Sequence, residues 1–306
     1  MRLGLLFALS YAGCAHPSAV VQPAAPVAEE PHVHGSAGAS EPITLPHHVI
    51  DQAGTPVGDG RLAERVKAAR VIYVGEEHTN PHHHAAELEV LVAAHASDPS
   101  VGLGLEMLPR AMQPSLDAFV DGTLDEPAFL AAVDWKKTWG YPFGLYRPLL
   151  VFCRDHHLRA FALNAPRELT HAVAHDGLDA LTVEQKQQLP DLRPGPAAHR
   201  ELVREAFGGH PHGKFSDAKF ERFYAAQLVW DETMATSVAA ALTGPAAPQR
   251  LVVVAGEGHT RRFAIPERAQ RRGAGAFLTI LPLLDKELSD AQKDSAADLY
   301  WVLETQ

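Results

Sequence analysis

The sequence predicts an α/β fold: a mostly parallel sheet flanked by helices, with a smaller helical subdomain inserted between strands. Three observations carry this reading. Short β-branched runs alternate with stretches of helical spacing, the pattern of strands joined by crossover helices. Those runs are apolar throughout rather than alternating, as strands covered on both faces must be. Residues 166–240 hold helical patterns and no strand, a length too great for one crossover, and read as a lid or subdomain.

The elements follow in order. RLAERVKAAR, residues 61–70, has helical spacing, and VIYVG, residues 71–75, is a β-branched run ending at Gly75. NPHHHAAELEVLVAAHA begins a helix with Asn80 as N-cap and Pro81 at the first helical position, where its missing N–H costs nothing. VGLGLEM (101–107) is a second buried strand. Two Pro-punctuated helical stretches lie in 109–133, and RPLLVFCRDHH is helical. RAFALN (159–164), LVVVAGEGHT (251–260) and AFLTILPLL (276–284) supply three further strands. The domain boundaries read as 46–286 for the α/β unit and 287–306 for a C-terminal tail.

The N-terminus is of another kind. MRLGLLFALSYAGC combines one Arg, an apolar stretch too short to span a bilayer, and small residues before Cys14. It reads as an export signal, residues 1–14, whose Ala12-Gly13-Cys14 ending resembles a lipobox, with Cys14 as the lipidation site. Residues 15–45, rich in Ala, Pro, Ser and His, read as a flexible tether, and His32, His34, His47 and His48 as solvated linker histidines. The expected place is a bacterial cell envelope, lipid-anchored, in a leaflet the sequence does not specify.

Composition excludes several classes. With 46% hydrophobic and 21% charged residues, the chain is neither disordered nor fibrous. A formal charge of −10 argues against a nucleic-acid partner, which calls for a basic surface. Two cysteines cannot form a disulfide framework. Histidine is the outlier at 18, and its positions matter more than its number.

A near-repeat concentrates those positions. VIYVGEEHT and VVVAGEGHT each run a strand into Gly-Glu-x-His. In an open parallel sheet the functional crevice lies beyond the carboxyl ends of the strands. Those ends present Glu76, Glu77 and His78; Glu106; Asn164; and Glu257 with His259. Two imidazoles with carboxylates can ligate a divalent metal ion, or work without metal as an acid–base pair. The metal or catalytic set is Glu76, His78, Glu106 and His259, and glycines beside both histidines admit positive φ and close backbone approach, as a tight strand-to-helix turn requires. The competing reading is structural, with Glu76 and Glu257 capping helices and the histidines satisfying buried carbonyls.

Two further stretches carry candidate ligands. His82, His83 and His84 point about 100° apart on a helix and cannot share one ion. His84 falls on a stripe with Leu88, Leu91 and His95 and reads as core, whereas His82 or His83 can reach the crevice. WKKTWGYPFGLYRP, residues 135–148, gathers aromatic and basic groups able to hold a flat anion, or merely to pack beneath a loop. Arg147 is its functional candidate, for anion binding or oxyanion stabilisation.

Gly75-Glu76-Glu77-His78-Thr79-Asn80-Pro81-His82-His83-His84, the GLEM ending at Met107 and the Trp-Gly and Tyr-Arg-Pro elements of 139–148 resemble the ChaN family of bacterial haem-binding lipoproteins. FALNAPREL (161–169), FYAAQLVWDETMA (223–235) and AGEGHTRRFAIPERAQRR (255–272) continue the family order, over about residues 50–285. The resemblance implies an exported, lipid-anchored protein that binds haem, associated with iron uptake. It also implies a tyrosine haem ligand, for which Tyr224 is the first candidate and Tyr146 the second, with Arg147 nearby, and a homodimer when haem is bound. A phenolate ligand suits ferric iron. The superfamily also resembles Tiki-type metal-dependent peptidases and erythromycin esterases, so the alternatives are a metal-dependent hydrolase using the Glu/His crevice and a tethered interaction module with a vestigial site.

Overall fold

The computed structural model of the protein describes residues 46–209 and 216–304. The export segment, Cys14 and the tether with His32 and His34 lie outside the described residues. In chain order the elements are β1 (His47–Asp51), α1 (Asp59–Ala68), β2 (Val71–Glu76), α2 (Pro81–Ser97), β3 (Gly102–Pro109), α3 (Gln113–Val120), α4 (Glu126–Ala132), α5 (Trp135–Thr138), α6 (Phe143–Asp155) and β4 (Ala160–Asn164). There follow α7 (Arg167–Asp176), α8 (Val183–Gln187), α9 (Ala197–Gly209), α10 (Asp217–Ala241), β5 (Leu251–Gly256), α11 (Glu257–Thr260), α12 (Ile265–Arg271), β6 (Phe277–Leu284), α13 (Asp285–Lys293) and β7 (Leu299–Leu303).

The seven strands form one sheet in the order β1-β7-β6-β2-β5-β3-β4, parallel except for the antiparallel pair β1 and β7. Every residue of β2 and β5 is buried, as unbroken apolar runs require of central strands. Alternation divides their side chains between two cores. Ile72, Val74, Val252 and Val254 face the core that includes Leu91, Phe119 and Leu149 from α2, α3 and α6. Val71, Tyr73, Leu251 and Val253 face Met234, Val238 and Ala269 from α10 and α12.

Three expectations change. Residues 287–306 are not simply a tail: β7 pairs with β6 and β1 inside the sheet, its Tyr300 and Val302 fully buried. His47 and His48, read as linker residues, begin β1, where the His47 ring stacks on Trp301 at 4.0 Å. The stretch 166–240 is helical as expected, but it does not stand apart as a lid. The second half of α10 is the helix that covers the second face of the sheet, while its first half packs with α7 and α9 through Leu169, Val173, Val203 and Phe223. Buried Glu232 of α10 accepts from Arg268, Arg271 and Arg272, tying that helix to α12 and the segment just after it. Among the described residues no helix is long and apolar enough to cross a membrane.

Candidate functional site

The carboxyl ends of β2, β5, β3 and β4 stand side by side, so the four strand ends singled out by the near-repeat converge on one rim. A cavity of about 160 Å³ opens there. His78, Glu106 and His259 line it, with Met107, Asn164, Trp139, Tyr141 and Trp230 as walls and Lys136, Lys137, Arg167 and His171 among its further lining residues. Two local features set it up. Between the pairs Leu105 with Ala162 and Pro109 with Asn164, β3 takes more residues than β4, and Glu106 sits in that irregularity. Its backbone carbonyl accepts from the Asn164 side chain at 2.9 Å. The glycines serve close approach, since neither Gly75 nor Gly256 has positive φ. A Cβ on Gly256 would lie 3.0 Å from the His78 ring.

The two histidines are held in the same way from opposite sides. His78 Nδ1 lies 2.7 Å from Glu76 Oε1, and His259 Nδ1 lies 2.6 Å from Asp231 Oδ1. Each carboxylate is fully buried at its side chain and accepts the Nδ1 proton, which leaves Nε2 as the nitrogen for the cavity. His259 Nε2 stands 3.4 Å from Glu106 Oε1, while Glu106 Oε2 accepts from the Gly256 N–H at 2.7 Å. Beyond Asp231, its second oxygen meets His199 Nε2 at 3.0 Å.

Charge follows from this layout. Burial pulls both histidines toward the neutral form. For His78 the hydrogen bond to Glu76 and the fields of Glu76 and Glu106 prevail, and for His259 Glu106 and Asp231 prevail, so both end above the ordinary imidazole value. Burial works against the Asp231 carboxylate, yet its hydrogen bonds to His199 and His259 hold it well below the usual range. Glu76 is pushed up to about 7 by burial and by Glu87, with His78 and His84 opposing. Burial raises Glu87 well above the ordinary value and lowers His84.

The predicted site residues separate into groups. His78, Glu106 and His259 meet at the cavity; Glu76 lies one layer beneath. As a single metal set the four do not close, because Glu76 turns its other oxygen to His84 Nδ1, 3.1 Å away. Glu77 is exposed, and its backbone N–H donates to His83 Nδ1 at 3.0 Å. His84, read as core, is the member of the triple histidine that enters the polar cluster, through Glu76, Glu87 and the His78 carbonyl. Arg147 does not line the cavity; it is drawn aside by Glu126, Nε to Oε2 at 2.6 Å, and Lys136, Lys137 and Arg167 are the cations there.

The two candidate tyrosine ligands are buried. Tyr224 is 6% exposed, and its hydroxyl accepts from the Gly195 N–H at 3.1 Å beside His199. Tyr146 is fully buried and donates to Glu76 Oε1 at 3.1 Å. Neither presents oxygen to a ligand from solvent. Tyr141 is the one described tyrosine that is not buried, and its ring lines the cavity 5.0 Å from His78.

Sequence reasoning missed His84, Glu87, Asp231, His199 and Tyr141. The signal for Asp231 was the acidic pair Asp231-Glu232 inside the otherwise apolar AAQLVW…TMA run, and for Glu87 its i,i+3 spacing from His84.

Comparison with known proteins gives the family of the chain. The family profile described as haem-binding uptake, Tiki superfamily, ChaN matches residues 62–269. The chain belongs to that ChaN family. The span includes every residue of the rim. Among solved structures, one titled "Cofacial heme binding to ChaN of Campylobacter jejuni" is similar at a TM-score of 0.65 and 15% identity, over 85% of this chain and 97% of that one. It shows that the ChaN fold is shared. An erythromycin esterase structure is similar at a TM-score of 0.45 and 14% identity, over 73% of this chain and 72% of that one. The Arabidopsis thaliana "Protein RETICULATA-RELATED 5, chloroplastic" is 26% identical over 285 residues, 85% of this chain. This chain spans only 38% of that protein's length.

Proposed function

We propose that this protein is an exported, lipid-anchored haem-binding protein of a bacterial cell envelope, associated with iron uptake, that holds haem across the mouth of the rim cavity. The observation that carries this is the ChaN family match over residues 62–269, which spans the cavity-forming segments. The residues fit the group. At about 160 Å³ the cavity is below the roughly 300–1,000 Å³ of pockets that enclose a ligand, so residues at its mouth would hold the group. Trp139 and Trp230 line the mouth with aromatic surface, and Lys136, Lys137 and Arg167 would offer cations for the propionates. Tyr141 supplies the phenol oxygen. Burial, Glu106 and Glu76 raise its pKa, so the free phenol keeps its proton. Bound haem would supply ferric iron, a Lewis acid that a phenolate ligand suits. A homodimer would form when haem is bound, with a second copy of the chain meeting the same mouth. Titration of the chain with haemin tests the reading: a saturable Soret band is expected, and no saturable change would overturn it. Cys14→Ala is expected to release the protein from membranes.

The paired imidazoles, each with Nδ1 on a buried carboxylate, favour a second reading: acid–base hydrolysis by Glu76, His78, Glu106 and His259, with or without a metal. Assay against peptide and ester panels, with and without chelator, decides it; turnover abolished in His259→Ala supports it, and no turnover removes it. If rim substitutions leave both haem binding and any turnover unchanged, the vestigial interaction module is the remaining role.

A further inference from the structure

We infer that Glu76, His84 and Glu87, one layer beneath the rim, form a binding site for a single divalent first-row transition-metal ion, separate from the haem mouth. His84 Nδ1 lies 3.1 Å from Glu76 Oε2 and 3.0 Å from Glu87 Oε2. Among the described residues this is the one group of three His, Cys, Asp or Glu side chains whose donor atoms all come within 4.8 Å of one another. Ligands at about 2.1 Å from an ion stand roughly 3.0 to 3.4 Å apart in octahedral or tetrahedral arrangements.

Hydrogen-bond chemistry decides what faces inward. The His78 carbonyl can only accept, so His84 Nε2, 3.2 Å away, carries the ring proton. Neutral His84 therefore turns a lone pair at Nδ1 toward two carboxyl groups. Three electron-rich donors aimed at one point call for a cation between them. Neither Glu76 nor Glu87 has a Lys or Arg ion-pair partner among the described residues. Glu87 Oε1 and Glu76 Oε2 are buried without a hydrogen-bond partner, and the Glu87 side chain is wholly inaccessible.

The outer shell is that of a built site. A metal-binding histidine usually donates its other N–H to a carbonyl or carboxylate, as His84 does. Glu76 Oε1 is fixed by Tyr146 Oη–H at 3.1 Å and by His78 Nδ1–H at 2.7 Å. One imidazole with two carboxylates suits Zn²⁺, Mn²⁺ or Fe²⁺ rather than a soft monovalent ion. Since His78 lines the cavity and binds Glu76, an ion here also fixes the orientation of that rim histidine.

The test uses the full-length chain purified in detergent without added haem, dialysed against Zn²⁺ or Mn²⁺ and analysed by mass spectrometry of the metal. One equivalent per chain is expected, with Glu87→Gln binding at least tenfold more weakly and Glu106→Gln binding as the unaltered protein does. Co²⁺ added to the unaltered protein is expected to give visible d–d bands. If Glu87→Gln does not fold, Tyr146→Phe serves: removal of an outer-shell hydroxyl is expected to weaken binding about tenfold. Less than a tenth of an equivalent with every metal would overturn the inference and leave a proton between the carboxyl groups. So would metal retained in both variants, or lost in Glu106→Gln, which would put the ion at the rim.

Discussion

Asp231 supports two imidazoles at once, and replacing it with Asn is the most informative change at the rim. The aspartate is fully buried, with His259 Nδ1 at 2.6 Å and His199 Nε2 at 3.0 Å. Both rings donate to it. Asn keeps the shape but offers one acceptor atom; its amide N–H₂ meets the other ring's N–H, so one imidazole must change tautomer or lose its partner. Breaking a buried charge pair by altering one member costs about 3–5 kcal/mol, and we expect a loss of that order in urea unfolding at pH near 5.5. The pH dependence is the sharper signature. The Asp231 pKa is depressed, so its contribution is present above the unfolded value and lost only in strong acid. His259 is raised, so its contribution is full below the unfolded value of 6.5 and fades as pH rises through the folded one. The gap between the two proteins should therefore be widest below pH 6.5 and narrow as pH rises through the raised folded value of His259. In parallel, the His259 ring-proton NMR titration should move to lower pH in Asp231→Asn. An unchanged titration, together with a gap independent of pH, would refute the reasoning that Asp231 holds His259 through charge.

Three further outcomes follow from the same structure. Burial, with His84 and His82 adjacent, holds the His83 pKa near 3. Unfolding therefore takes up a proton between about pH 6.5 and 3, and acid should destabilise the chain by up to about 1.4 kcal/mol per pH unit; in His83→Gln this component of the urea-unfolding slope should vanish, and an unaltered slope would sink the assignment. A Cβ on Gly75 would lie 2.7 Å from Thr260 Oγ1 and 3.2 Å from the Glu257 backbone, so Gly75→Ala should cost about 1–3 kcal/mol and lower the calorimetric melting point by several degrees. Tyr224→Phe removes the hydroxyl beside the Gly195 N–H and His199, so it should cost about 1–2 kcal/mol in urea while leaving haem affinity unchanged; weakened haem binding would restore Tyr224 as a ligand.

The sequence made the sheet's centre legible because β2, β3 and β5 are unbroken apolar runs, and burial on both faces writes itself into composition. The margin was harder to read. HHVID carries two histidines, and LYWVL follows a polar helix near the chain end, so β1 and β7 lacked the flanking pattern that marks a strand. At the site, Glu76, His78, Glu106 and His259 were legible because strand ends in a parallel sheet share one edge. The layer beneath was not. Glu87 and Asp231 sit in the interiors of helices, His84 on a stripe that reads as core, and only the packing of α2 against the end of β2 and of α10 against the rim brings them to the carboxylates and imidazoles. Choosing among tyrosines likewise required burial: sequence put Tyr224 and Tyr146 first, and packing closes both off while Tyr141 remains on the cavity wall.

The most direct measurement is a spectroscopic haemin titration of the unaltered chain beside Tyr141→Phe and Tyr224→Phe. Saturable binding is expected, with the phenolate-to-iron charge-transfer band present in the unaltered chain, retained in Tyr224→Phe and lost in Tyr141→Phe. Absence of saturable binding, or a phenolate band that survives in Tyr141→Phe, would contradict haem held across the rim cavity.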